Sequence, residues 1–337
     1  HLETRGGMGA HPRYVTRTKG ARVISPQKRQ EIIDALRRGT VPSSSLEAFA
    51  VGLEGLAPTL EEELHKVRAG GSVFKAVRGE YGCGKTFFAR WLADQARKLG
   101  FATSEVQVAE TETPLHRLET VYRRLTERLA TADTLQGALR NIVDGWFFTL
   151  EEDVLAEGGM AAHDTHALLQ RTNDLLEQRL ARVTSVAPMF SAALRGYRRA
   201  QAEGDVATAE GIIAWLAGQP NVAASAKRYA GVKGDLDHFG ALNFLQGILA
   251  VLRDAGQAGL LLILDEVETI QRVRSDVRDK SLNALRQLLD EVDAGRFSGL
   301  YVLITGTPAF FEGPQGIQRL EPLAQRLHVD FQSEIRF

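Results

Sequence analysis

The sequence has a single cysteine in 337 residues, Cys83. No intrachain disulfide can form, which fits a reducing compartment and leads us to expect a cytoplasmic protein. It also lacks any excess of charge: 41 Lys and Arg face 42 Asp and Glu, a formal net charge of −1. Such a balance carries no global signal for nucleic acid or an anionic surface. No apolar run reaches the roughly 20 residues of a spanning helix, so no membrane contact is expected. The first nine residues lack the apolar core of a signal peptide. Residues 1–25 read as a basic tail or cloning remnant. What is left is a chain that is 44% apolar, ample for one large domain or two smaller ones.

What is present is more specific. Gly79-Glu80-Tyr81-Gly82-Cys83-Gly84-Lys85-Thr86 matches G-x-x-x-x-G-K-[ST], a loop whose N–H groups cradle nucleotide phosphates. The flanks suit it. Val73 to Val77 reads as a buried strand. Thr86 to Leu99 carries Phe87, Phe88, Trp91, Leu92 and Leu99 at helical spacing. Lys85 is expected on the β- and γ-phosphates, and the Thr86 hydroxyl on Mg²⁺. Residues 79–87 as a set form the expected nucleotide cradle. Cys83 is read as a small tolerated residue, with a redox-sensitive thiol as the alternative.

A second signal lies downstream. Leu260 to Leu264 is a continuous apolar run, as in a strand buried on both faces of a parallel sheet. It ends in Asp265-Glu266, two carboxylates that are costly there without a metal, water or partner. In a P-loop ATPase they form the Walker B pair: Asp265 holds the Mg²⁺ shell and Glu266 activates the attacking water. The next apolar strand, Leu300 to Thr305, is expected to lie between the first and Walker B strands. Thr305 or Thr307 then contacts the γ-phosphate or water, or both merely cap a turn before Pro308.

Strands alternating with helices predict an α/β fold, a parallel sheet flanked by helices. Its expected parts are residues 26–113 and 258–337 of a P-loop core. A helical insertion at 114–257, between the second strand and the Walker B strand, separates them. Helices are expected from Ser25-Pro26 to Arg38, from Ser45 to Arg68 with a break at Pro58, and from Gln318 to Leu327. Arg195-Gly196-Tyr197-Arg198-Arg199 and Lys227-Arg228-Tyr229 mix basic and aromatic residues. They suit nucleic-acid backbone contacts and stacking, or are solvated helix faces.

The P-loop segment, Leu-Asp-Glu-Val-Glu-Thr, and above all Glu110-Thr111-Glu112-Thr113-Pro114 and Gly306-Thr307-Pro308-Ala309-Phe310-Phe311 carry a resemblance. From about Gln27 to Leu327 the chain resembles the BrxD family of ATP-binding proteins from BREX phage-defence systems. That family is similar to AAA+ ATPases of the origin-recognition type. The resemblance implies a Mg²⁺-dependent ATP hydrolase of the AAA+ P-loop class, binding ATP and ADP. It implies a homo-oligomer that works beside defence proteins such as a helicase, and DNA as a weakly held partner of this chain. It implies an arginine finger on the helix after the last strand, Arg326 first and Arg319 second. It also implies adenine packing near Val41-Pro42, where a plain helix stop is the alternative. The small lid domain is expected to be missing from this chain. The competing readings are an ATP-binding switch with little turnover and, more weakly, a small-molecule kinase.

Overall fold

The structure, a computed structural model, describes residues 25–327 apart from positions 39, 43–45, 49, 51, 54 and 159–164. The expected tail lies outside the described residues. The chain divides into two units, His1–Ser45 and Leu46–Phe337. In the first, α1 (Pro26–Arg37) starts as its sequence predicts. Proline fits the first turn, whose N–H groups lack intrahelical partners. The Ser25 hydroxyl accepts from the Lys28 N–H at 3.4 Å.

The second unit is built on four parallel strands: β1 (Val73–Arg78), β2 (Ala102–Gln107), β3 (Leu260–Asp265) and β4 (Leu300–Gly306). Their order is β1-β4-β3-β2, which puts β4 between the P-loop strand and the Walker B strand. The two central strands are buried at every position. That is why they read as unbroken apolar runs, since helices cover both faces of a parallel sheet. The outer strand β2 is partly exposed at Glu105 and exposed at Gln107.

Several helices differ from expectation. α2 spans Ala57–Arg68 with Pro58 in its first turn. Proline therefore starts this helix instead of interrupting a longer one, because the missing N–H costs nothing there. Ahead of it, Leu46–Ala48 is only a 3-10 turn. At the other end, the expected Gln318–Leu327 helix is a 3-10 turn, Ile317–Arg319, followed by a short helix, Glu321–Arg326. Pro322 again sits in the first turn.

Between β2 and β3 run α4 (Leu118–Glu127), α5 (Leu139–Ala156), α6 (Thr165–Arg179), α7 (Ala181–Val186), α8 (Pro188–Ala202), α9 (Val206–Leu216), α10 (Ala224–Ala230) and α11 (His238–Asp254), with α3 (Lys85–Lys98) preceding β2. Their apolar stripes join one core with the sheet: Val106, Leu262 and Ile304 belong to the same cluster as Trp146, Phe190 and Phe244. Phe244 meets Phe190 and Trp215 edge-on, each with ring centres 5.3 Å apart. Such pairs add about 0.5–1.5 kcal/mol beyond area burial. Gly247, one turn on from Phe244, lets Phe190 approach; a Cβ there would stand 2.7 Å from that ring.

Candidate functional site

β1 ends at Arg78 and the P-loop crosses to α3 at the carboxyl edge of the sheet. The Gly79 N–H donates to the Gly306 carbonyl at 3.1 Å, tying the start of the loop to the end of β4. Gly82 and Gly84 have φ of +79° and +97°, a region that favours glycine. Gly79 has a different reason: a Cβ there would lie 2.3 Å from the Cys83 sulfur. Cys83 itself is exposed. The Lys85 ammonium folds over the loop and donates to the carbonyls of Gly79 at 2.8 Å and Glu80 at 3.0 Å. It stands 5.4 Å from the centre of the exposed Tyr81 ring. α3 carries no acidic residue in its first turn, where Phe87 is partly buried. The helix end and Lys85 together favour an anion.

The carboxylates face this loop. Asp265, only 4% exposed, accepts from the Thr86 hydroxyl at 3.1 Å on one oxygen. Its other oxygen accepts from the Thr305 hydroxyl. The Glu266 N–H lies 3.2 Å from the Thr305 oxygen. Of the two threonines, Thr305 is thus joined to Asp265. Thr307 is also buried, at the cap of the five-residue helix α13 (Pro308–Glu312), and makes no side-chain cap bond. Glu266 has φ of +60° and ψ of +45°, a left-handed conformation that costs a non-glycine residue about 1–2 kcal/mol. Strain of this kind gathers at functional sites. Gln107, level with Asp265 in the β2–β3 register, donates its amide to Glu266 Oε2 at 2.9 Å.

Two residues of the site escape sequence reasoning. Both lie in the 3-10 turn Val267–Arg272 after the Walker B pair. Glu268 is 3% exposed, and among the described residues no other residue donates a hydrogen bond to its carboxylate. Burial pushes its pKa above the ordinary glutamate value; its own backbone N–H and Lys85 oppose the shift, and Glu266 and Asp265 add to it. Arg272 donates to the Tyr81 hydroxyl at 3.1 Å. No periodicity in a six-residue turn indicates which side chains face inward.

The expected finger arginines lie elsewhere in this chain. Arg326, in α14 (Glu321–Arg326), pairs with Asp290 and Asp293 of α12 (Ser275–Asp293). Arg319 pairs with Asp279 at 2.9 Å and donates to the Ser275 hydroxyl at 3.0 Å. The basic clusters are matched as well. Arg195 pairs with Glu177, Arg198 with Glu151, and Lys227 with Asp235, while Arg199 stacks 4.2 Å from the Tyr229 ring centre. Val41 and Pro42 belong to the N-terminal unit. A cleft of about 960 Å³ opens where α2, α6 and α11 end and is lined by Arg68, Arg179 and Arg253. These arginines occupy last helical turns, where they offset the helix dipoles.

Among the described residues no group of three or more His, Cys, Asp or Glu could cage a metal ion. Mg²⁺ needs no such cage. One or two carboxylates plus phosphates and water suffice, and Asp265 beside the Thr86 hydroxyl suits that chemistry. No described helix is long and apolar enough to cross a membrane. Residues 24–337 match a family model described as BREX system ATP-binding protein BrxC/D. No curated protein and no solved structure matches.

Proposed function

This chain belongs to the BREX system ATP-binding protein BrxC/D family, and we propose on that premise that it is a Mg²⁺-dependent ATPase of the AAA+ class. The observation that carries the reading is the meeting of Lys85, Thr86, Asp265, Thr305 and Glu266 at one corner of the sheet. Those residues come from the start of α3 and the ends of β3 and β4, which are remote in sequence. The loop N–H groups and Lys85 bind the phosphates. Thr86 and Asp265 would hold Mg²⁺, which when bound offsets phosphate charge. Glu266 takes the proton of the attacking water, and Thr305 fixes Asp265. Residues 114–257 form an inserted subdomain. Subunits assemble so that Arg326, or else Arg319, completes a neighbour's site. DNA and other defence proteins, a helicase among them, are the partners, in the cytoplasm.

One observation favours a second reading, a nucleotide switch with little turnover. The Glu266 carboxylate is engaged by Gln107 at 2.9 Å, so it must be released before it can act as a base. Phosphate release from Mg·ATP, measured with solution mass and with or without duplex and single-stranded DNA, tests both. Sustained multiple turnover supports the ATPase. One turnover at most per site, with tight nucleotide retention, supports the switch. No nucleotide binding at all overturns both.

A further inference from the structure

Two cations stand at the mouth of the phosphate loop without an ion-pair partner among the described residues. The motif accounts for Lys85, whose ammonium donates to the carbonyls of Gly79 and Glu80. It does not account for Arg272. This exposed side chain reaches from the turn after the Walker B pair to the Tyr81 hydroxyl, 3.1 Å away. Tyr81 is the third residue of the loop, and the Lys85 ammonium faces its ring at 5.4 Å. The two cations are therefore one aromatic ring apart. Glu110 and Glu266 act on Arg272 electrostatically, yet neither forms an ion pair with it.

We propose that Arg272 binds the terminal phosphate of ATP from within its own chain, as a second cation across the Tyr81 ring from Lys85. The inference rests on the ATP-site reading above. Lys85 in this motif serves the β- and γ-phosphates, so a guanidinium one ring away from it meets the γ end. A neutral phenol is a weak anchor for a guanidinium. A phosphate offers charge-assisted, bidentate bonds in its place. Arg326 and Arg319 differ: each must first leave carboxylates of α12. Arg272 also ends the turn that holds Glu268 and directly follows Asp265 and Glu266. The presence of a γ-phosphate is thereby coupled to the carboxylates that act on it.

The test compares nucleotides. In a Glu266→Gln background, which preserves ATP, calorimetry gives affinities for Mg·ATP and Mg·ADP. Arg272→Ala is expected to weaken ATP by about tenfold or more and leave ADP within about twofold. Arg272→Lys restores part of the ATP preference. Tyr81→Phe keeps the ring and removes the anchor, and is expected to lower the ATP-to-ADP preference less than Arg272→Ala does. With Glu266 intact, Arg272→Ala lowers kcat by about 10³, equally at all protein concentrations and without rescue by added Lys85→Ala subunits. An unchanged ATP-to-ADP ratio overturns the proposal, as does an equal loss of both nucleotides. A Tyr81→Phe variant as poor as Arg272→Ala also overturns it, because Arg272 would then act only by holding Tyr81. Failure of the underlying reading looks different: the unaltered protein binds neither nucleotide, or Lys85→Ala binds both normally.

Discussion

The Thr86 hydroxyl donates to Asp265 across 3.1 Å, although 179 positions separate the two residues along the chain. The second carboxylate oxygen is taken by Thr305 from the neighbouring strand. One buried carboxylate thus joins the ends of β3 and β4 to the start of α3.

Removing the Thr305 hydroxyl leaves its Asp265 oxygen with only the longer bond from the Glu266 N–H, at 3.2 Å, among the described residues. Thr305→Val keeps the shape and is expected to cost about 1–3 kcal/mol of stability, read as a lower urea midpoint. Thr307→Val, at a hydroxyl that makes no cap bond, costs less. Equal effects would mean that the Thr305–Asp265 bond does not hold the site together.

Lys85→Ala removes the one ammonium the loop places over its own carbonyls. ATP affinity should fall at least about tenfold. A calorimetric titration with unchanged affinity would falsify the assignment of the phosphate site.

Glu266→Gln fills the same space but cannot accept the proton of water. Nucleotide affinity is expected to survive while kcat collapses, the pattern of an interaction made only in the transition state. Full turnover in this variant assigns the base to another residue.

Glu268 makes stability depend on pH. Its folded pKa is raised, chiefly by burial, so the folded state holds its proton more tightly than the unfolded chain. Below the unfolded value both states are protonated and nothing is lost. As pH climbs through the window between the two values, stability falls, and the deficit is complete above the folded value. Glu268→Gln should therefore raise the melting temperature at neutral pH, in metal chelator, and the gain should vanish in mild acid. A gain that is constant with pH would point to packing rather than charge.

Assembly is tested through Arg326. Its pairs with Asp290 and Asp293 are partly exposed, so losing them should cost about 1 kcal/mol or less. A finger acting on a neighbouring subunit is worth about 10³ or more in rate. Arg326→Ala should then fold and bind ATP normally but hydrolyse poorly, and specific activity of the unaltered protein should rise with concentration. Mixing Arg326→Ala with Lys85→Ala should recover activity. Flat activity without recovery leaves Arg326 as a surface ion-pair residue.

The sequence by itself determined the elements with strong local codes. The glycines of the P-loop, the unbroken run Leu260–Leu264 and the long amphipathic helices declare themselves because backbone freedom and burial act on neighbouring residues. Lys85, Thr86, Asp265 and Glu266 could be singled out as candidates because they mark the ends of those same elements. Short elements were not. α10 and the turn Val267–Arg272 span too few residues to show a period, and Pro58 and Pro322 start helices whose extent depends on tertiary packing. Only the tertiary structure decided which threonine meets Asp265, that Gln107 engages Glu266, that Glu268 is buried, and that Arg272 reaches Tyr81. Each of these depends on strand register or on the path of a tight turn, and those are set by contacts between segments distant in the chain.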